Sequence, residues 1–111
     1  MKEISYRDFS NVEIRVGKII KAQDFSKALK PAYKLWIDFG HLGVKKASAQ
    51  ITKLYDRSDL LNRLIIAVVN FPSKQVADFM SEVLVLGVVL EDGAVSLLNP
   101  DHDVPPGARI M

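Results

Sequence analysis

The segment Lys34-Leu35-Trp36-Ile37-Asp38-Phe39 alternates strictly and carries the only tryptophan of the chain. In an extended strand, successive side chains point to opposite faces. Leu35, Ile37 and Phe39 therefore form a face for a core, and Lys34, Trp36 and Asp38 share the other. The segment Val44 to Ile51 repeats the pattern, with Ala47, Ala49 and Ile51 inward and Lys46, Ser48 and Gln50 outward. A flat indole among cationic and hydrogen-bonding side chains can stack a base or hold an apolar side chain. Base–aromatic stacking is worth roughly 1–3 kcal/mol, and aromatic anchors dominate binding hot spots. The competing reading is that a loop, a helix or a partner subunit packs over Trp36. Spacing alone leaves both open.

Two further groups flank this face. Lys27, Lys30, Lys34, Lys45, Lys46 and Lys74 fall on or beside its loops, where they would steer phosphates or acidic peptides or simply keep the surface solvated. Asn70, Phe71 and Pro72 end one apolar run, and Phe79 and Met80 interrupt a polar loop just before Ser81 and Glu82. Exposed, Phe79 and Met80 would make an apolar lip suited to varied partners, since methionine re-packs readily. Buried, they would close the barrel end or a subunit interface. The candidate ligand-binding set is thus Lys34, Trp36, Asp38, Lys46, Ser48 and Gln50 on the strands, with Asn70, Phe71, Lys74, Phe79, Met80, Ser81 and Glu82 beside them.

Nothing points to catalysis. His41 and His102 are isolated, without the His/Asp/Glu spacing of a metal site. Ser48 lacks a nucleophile motif, and Gly40-His41-Leu42-Gly43 lacks the glycine–lysine–hydroxyl signature of a phosphate loop. Glu91, Asp92, Asp101 and Asp103 sit in turns, where solvated carboxylates are the default. No cysteine is present, which removes disulfides and thiolate chemistry and suits a reducing compartment. The expectation is a non-enzyme without metal or cofactor.

The elements that position these residues follow from periodicity. At 111 residues the chain fits one domain, 1–111, with a core that needs no staples. Tyr6 to Glu13 predicts a short helical turn with Ser10 and Asn11 as caps. Val12 to Phe25 predicts a long strand bent or bulged at Gly17. Thr52 is placed to cap a helix reaching Leu61. Arg63 to Phe71 reads as a strand buried on both sides and ended by Pro72. Ser73 to Ser81 is a loop, Glu82 to Leu90 another buried apolar strand, and Asp92-Gly93 a hairpin turn into Ala94 to Leu98. Three strands, a helix, two strands and a hairpin give an all-β chain with a short helix in OB-fold order, a five-stranded β-barrel that binds oligomeric ligands across strands 2 and 3.

Charge is uneven. Residues 1–74 hold 14 Lys/Arg against seven Asp/Glu, and residues 75–111 hold one against six. The basic part would attract an anionic partner, yet the net charge of +2 falls short of a dedicated duplex-DNA binder. Met1 to Ser10 has no apolar core of a signal peptide. The apolar runs Leu64 to Val69 and Val83 to Leu90 are too short to span a bilayer, so no membrane insertion is expected and a cytoplasmic location is.

Ile14 to Ala22 and Lys34 to Gly40 resemble the tRNA-binding domain found alone or appended to methionyl- and phenylalanyl-tRNA synthetases. Ser48 to Lys53, Ala67 to Pro72 and Ser81 to Gly87 resemble the bacterial CsaA export chaperones within that superfamily. The resemblance runs from about Phe9 to Ile110. It implies an OB-fold homodimer that holds unfolded or precursor polypeptides, linked to protein export, and descended from a tRNA-binding module. The tRNA-binding relatives usually carry a Ser-x-Gly-Met-type sequence where this chain has Ser81 to Gly87. Glu82 puts a negative charge there, which favours a peptide over a phosphate ligand. The alternatives are a tRNA-binding protein using the same face, and an interaction domain for a larger export component.

Overall fold

A computed structural model describes every residue from Met1 to Met111. The strands are β1 (Ile14–Asp24), β2 (Tyr33–Asp38), β3 (Val44–Ala49), β4 (Leu64–Val68), β5 (Lys74–Val76), β6 (Phe79–Ser81), β7 (Leu84–Val85), β8 (Gly87–Val89), β9 (Val95–Leu97) and β10 (Arg109–Ile110). Two short helices accompany them, α1 (Tyr6–Ser10) and α2 (Arg57–Leu60). The main sheet runs β3-β2-β1-β4-β7, all antiparallel, with β10 added to β1. It curls into a nearly closed five-stranded OB-fold barrel.

The barrel depends on β1 reaching two neighbours. Its first part, Ile14 to Lys18, pairs with β4, and Lys18 to Asp24 pairs with β2. The register slips between Ile19 and Lys21, so the extra residue of the bulge is Ile20, not Gly17 as expected. Gly17 serves a close approach instead: a Cβ there would lie 2.5 Å from Ile37 Cγ2 and 2.6 Å from Phe39 Cε1. The inward set predicted from alternation forms the core. Leu35, Ile37, Phe39, Ala47, Ile19 and Ile65 are wholly buried, and Tyr33 beside them donates its hydroxyl to the Tyr55 carbonyl at 2.8 Å.

Local chemistry moved several boundaries. α1 is capped by Ser5 and Asp8 in a reciprocal capping box, and Asn11 stands at its C-terminus. α2 is a single turn starting at Asp56, whose backbone N–H donates to Asp59; Thr52 does not cap it. Leu60 is buried under the barrel, but Leu54 and Leu61 are half exposed. The segment expected as a loop from Ser73 folds into the β5–β6 hairpin, turning at Ala77 with φ 51°.

The expected buried strand from Glu82 to Leu90 is two strands with different partners. β7 pairs with β4 inside the barrel, while β8 leaves it and pairs with β9. The hairpin turns at the predicted place but through three residues, Glu91 to Gly93, not two: the Gly93 N–H donates to the Leu90 carbonyl at 3.0 Å and the Leu90 N–H to the Ala94 carbonyl at 2.8 Å, with Gly93 at φ +83° and Asp92 Oδ1 accepting from the Ala94 N–H at 3.0 Å. Because that hairpin stands outside the barrel, Val88, Val89 and Leu90 are exposed, and Leu84 on β7 is half exposed as well. An apolar run therefore did not mean burial here. No helix is long and apolar enough to cross a membrane.

Candidate functional site

Trp36 lies on the outer face of β2, as alternation requires, but it is half-buried. The β5–β6 hairpin folds against it and places Phe79 edge-on to the indole, with ring centroids 5.7 Å apart. Phe79 also meets Phe25 edge-on at 5.6 Å. Phe25, Ala32 and Phe79 form a second small core on the outside of the barrel. Phe79 is therefore a plug and not half of an exposed lip, while Met80, next in the strand and facing away, is partly exposed. One side of Trp36 is thus packed by the hairpin, and the other is open.

Cations ring this cluster. Lys21 Nζ stands 4.5 Å from the Trp36 ring centre, Lys34 Nζ 4.9 Å from Phe25 and 5.3 Å from Phe79, and Lys46 Nζ 5.1 Å from Phe79. Such contacts are each worth roughly 0.5–1 kcal/mol at exposed sites. Asp78 at the hairpin tip bonds Lys27 at 3.0 Å and lies 3.9 Å from Lys34. The Lys27 hydrogen bond, with the charges of Lys27 and Lys34, holds the Asp78 carboxyl below its ordinary range. Three lysines over this cluster of Trp36, Phe25 and Phe79 form a surface that favours anions.

Beside this face is an open groove of about 1340 Å³. It lies between the loop after β1, the β3 end, the hairpin β5–β6 and the β7–β8 wall; 14 of its 24 lining residues are hydrophobic. Leu29, Phe71, Leu84 and Val89 expose apolar surface along it. Of the candidate residues, Ser48, Gln50, Phe71, Lys74, Ser81 and Glu82 line this groove. Lys34, Trp36, Lys46 and Phe79 gather on the aromatic face instead.

Asp38 and Asn70 hold the frame, and so do two residues of the groove wall, Ser81 and Glu82. Asp38 Oδ1 accepts from the Gly40 N–H at 2.8 Å and shapes the turn after β2. Asn70 ties the N-terminal lead down: its Oδ1 accepts from the Glu13 N–H at 2.9 Å and its Nδ2 donates to the Asn11 carbonyl at 2.8 Å. Ser81 and Glu82 close the barrel. The Glu82 N–H donates to the Lys46 carbonyl at 2.8 Å, and Glu82 Oε1 accepts from the Lys46 N–H at 3.0 Å. Ser81 Oγ accepts from the Ser48 N–H at 3.0 Å. Sequence reasoning missed Lys21, Phe25 and Leu29. Lys21 was recoverable from strand parity, but its pairing opposite Trp36 depends on the bulge at Ile20.

The comparisons with known proteins agree with this architecture. The profile of a family described as "Putative tRNA binding domain" matches residues 14–109. The chain belongs to that family. The crystal structure of chaperone CsaA from Bacillus anthracis superposes with a TM-score of 0.95 at 49% identity, covering 99% of this chain and all of that one. That of the CsaA chaperone protein from Picrophilus torridus gives 0.92 at 55% identity, over 98% of this chain and all of that one. These two establish the CsaA likeness over the full fold. The methionine–tRNA ligase of Thermococcus onnurineus is 36% identical over 96% of this chain, which is 14% of the ligase. The chain spans about one seventh of the length of such curated relatives, and the shared portion is the tRNA-binding type of domain.

Proposed function

We propose that this chain is a molecular chaperone, a single domain over 1–111 that binds unfolded or export-bound polypeptides as a cytoplasmic homodimer and catalyses no reaction. The observation that carries the reading is the apolar groove. An open channel of about 1340 Å³ exceeds the roughly 300–1,000 Å³ of small-molecule sites, and its walls suit alternating apolar side chains. The likeness to CsaA chaperones supports the same ligand class. Val88 and Leu90, exposed at the outer hairpin and outside the groove lining, supply apolar surface for a second subunit, and two barrels would hold one long client bivalently.

Suppression of aggregation of a denatured client tests this. Phe71→Ser with Leu84→Ser, both half exposed, should abolish most suppression while leaving the fold intact. Undiminished suppression would overturn the groove as the client site.

A second reading, tRNA binding, is favoured by one specific observation: Lys21 stands over Trp36, and Lys34 and Lys46 stand over Phe79 beside it. If all three met phosphates, log Kd would change by about 2 to 3 per decade of salt, from roughly 0.7–0.9 per contact. Apolar peptide binding would depend on salt far less. A titration of both ligands between low and physiological salt separates the two readings.

A further inference from the structure

The outer edge of β3 is closed by an unusual partner. In a complete barrel another strand's backbone would run along it, yet here Glu82 contributes one backbone bond and the rest come from side chains. Glu82 Oε1 takes the Lys46 N–H and Ser81 Oγ takes the Ser48 N–H. Both oxygens stand where a neighbouring strand's carbonyls would stand.

This substitution ends at Ser48. Backbone groups of one strand edge recur every second residue, so the series Lys46, Ser48 continues to Gln50. Neither the N–H nor the C=O of Gln50 has a hydrogen-bond partner in the chain. Gln50 is exposed, and it lies on the wall of the apolar groove. An unpaired edge at an apolar channel is a template for an extended chain.

We propose that the groove takes its polypeptide as an added β-strand, paired to the backbone of Gln50, the residue that follows β3. The proposal rests on the polypeptide reading above and specifies its binding mode. Main-chain bonds to Gln50 hold any sequence. The alternation of the added strand sends every second side chain onto Ile51 and Val83, which are buried beneath the groove. The other set faces the mouth, where Lys30 and Lys74 are exposed and make no ion pair. Lys27 is held by Asp78, and the Glu82 carboxylate is engaged with the Lys46 N–H. The uncommitted charge at the mouth is positive, so the favoured client is an extended segment alternating apolar with acidic residues.

The test uses the full chain and a fluorescent eight-residue peptide that alternates leucine with glutamate. Two further versions are N-methylated on every second amide, one for each edge of the bound strand. Anisotropy should show one methylated version weakened tenfold or more and the other within about threefold of the parent. In the same titration the Gln50 amide should gain protection from hydrogen exchange, while that of Lys46, already bonded, should change little. Equal affinity of the two methylated versions overturns strand addition while leaving the polypeptide reading standing. Failure of the parent peptide to bind overturns both. Protection of Gln50 that rises with protein concentration without peptide assigns the edge to a second copy and also overturns the proposal.

Discussion

Replacing Phe79 by alanine distinguishes a structural plug from a binding lip. The side chain is 6% exposed and meets Trp36 and Phe25 edge-on. Truncating a buried phenylalanine costs about 3–5 kcal/mol through lost transfer energy and the cavity left behind. The lower end applies here, because Phe79 sits in a three-residue cluster under a hairpin of two three-residue strands. So small a unit can collapse onto the gap. A loss of about 3 kcal/mol should lower Tm by at least about 10 °C in a chain of this size.

Urea and thermal unfolding followed by fluorescence give the measurement directly, since Trp36 is the sole tryptophan and lies against Phe79. Its emission should shift to the red in the native state of F79A as water reaches the packed side of the indole. Met80→Ala is the internal control. Met80 is partly exposed on the opposite side of the same strand, so its loss should stay within about 0.5 kcal/mol, as for most surface changes. The plug assignment is refuted if F79A unfolds within about 0.5 kcal/mol of the parent, or if it loses ligand affinity with stability untouched.

Three other perturbations check separate parts of the frame. Glu82→Ala leaves the Lys46 N–H without its acceptor and should cost about 1–3 kcal/mol, whereas Glu82→Gln keeps an acceptor oxygen and should cost under about 1 kcal/mol; equal losses in urea unfolding would show that the charge, not the hydrogen bond, matters. Tyr33 ionises above its ordinary value of 10, through burial first and then the charges of Asp56 and Asp24. Its neutral form thus stabilises the fold fully below pH 10, and that contribution disappears as pH rises through the folded value. Tyr33→Phe should flatten this alkaline decline in Tm and cost about 0.5–1.5 kcal/mol at neutral pH, because the Tyr55 carbonyl loses its donor; an unchanged alkaline slope would contradict the assignment. Asn70→Ala cuts both bonds to the N-terminal lead, so limited proteolysis should cleave before Glu13 several-fold faster, and identical cleavage rates would count against the clamp.

Much of the barrel was legible because its signals are local. Period-two alternation in 34–39 and 44–51 placed Leu35, Ile37, Phe39, Ala47, Ala49 and Ile51 in the core. Asp92-Gly93 marked the place of its turn for the same reason, since Gly93 takes the positive φ, although the loop runs one residue longer than that signal. What was not legible depends on partners distant in the chain. Leu84 to Leu90 is apolar whether it is paired in a barrel or exposed on an outer hairpin, and only the switch of partner from β4 to β9 decides. Likewise Phe79 becomes a plug because β5 pairs with β6 and turns it toward Trp36, 43 residues earlier in the chain. The role of Glu82 was hidden most fully. Its charge was visible in the sequence, but its acceptor role on β3 exists only once the barrel closes.

The closure at Glu82 also bears on how one barrel presents two different surfaces. The β5–β6 hairpin contributes Phe79 to the aromatic face and Lys74 and Val76 to the groove. A ligand on either side would therefore act on the same three-residue strands. Around Trp36 the lysines stand over rings and around Asp78, so an anion there competes with contacts already made. At the groove mouth Lys30 and Lys74 have no such contacts to give up, and the Gln50 backbone has none either. An occupant of the groove gains new bonds, whereas an occupant of the aromatic face partly exchanges old ones. That difference, more than the sign of Glu82, supports the polypeptide reading proposed for the groove.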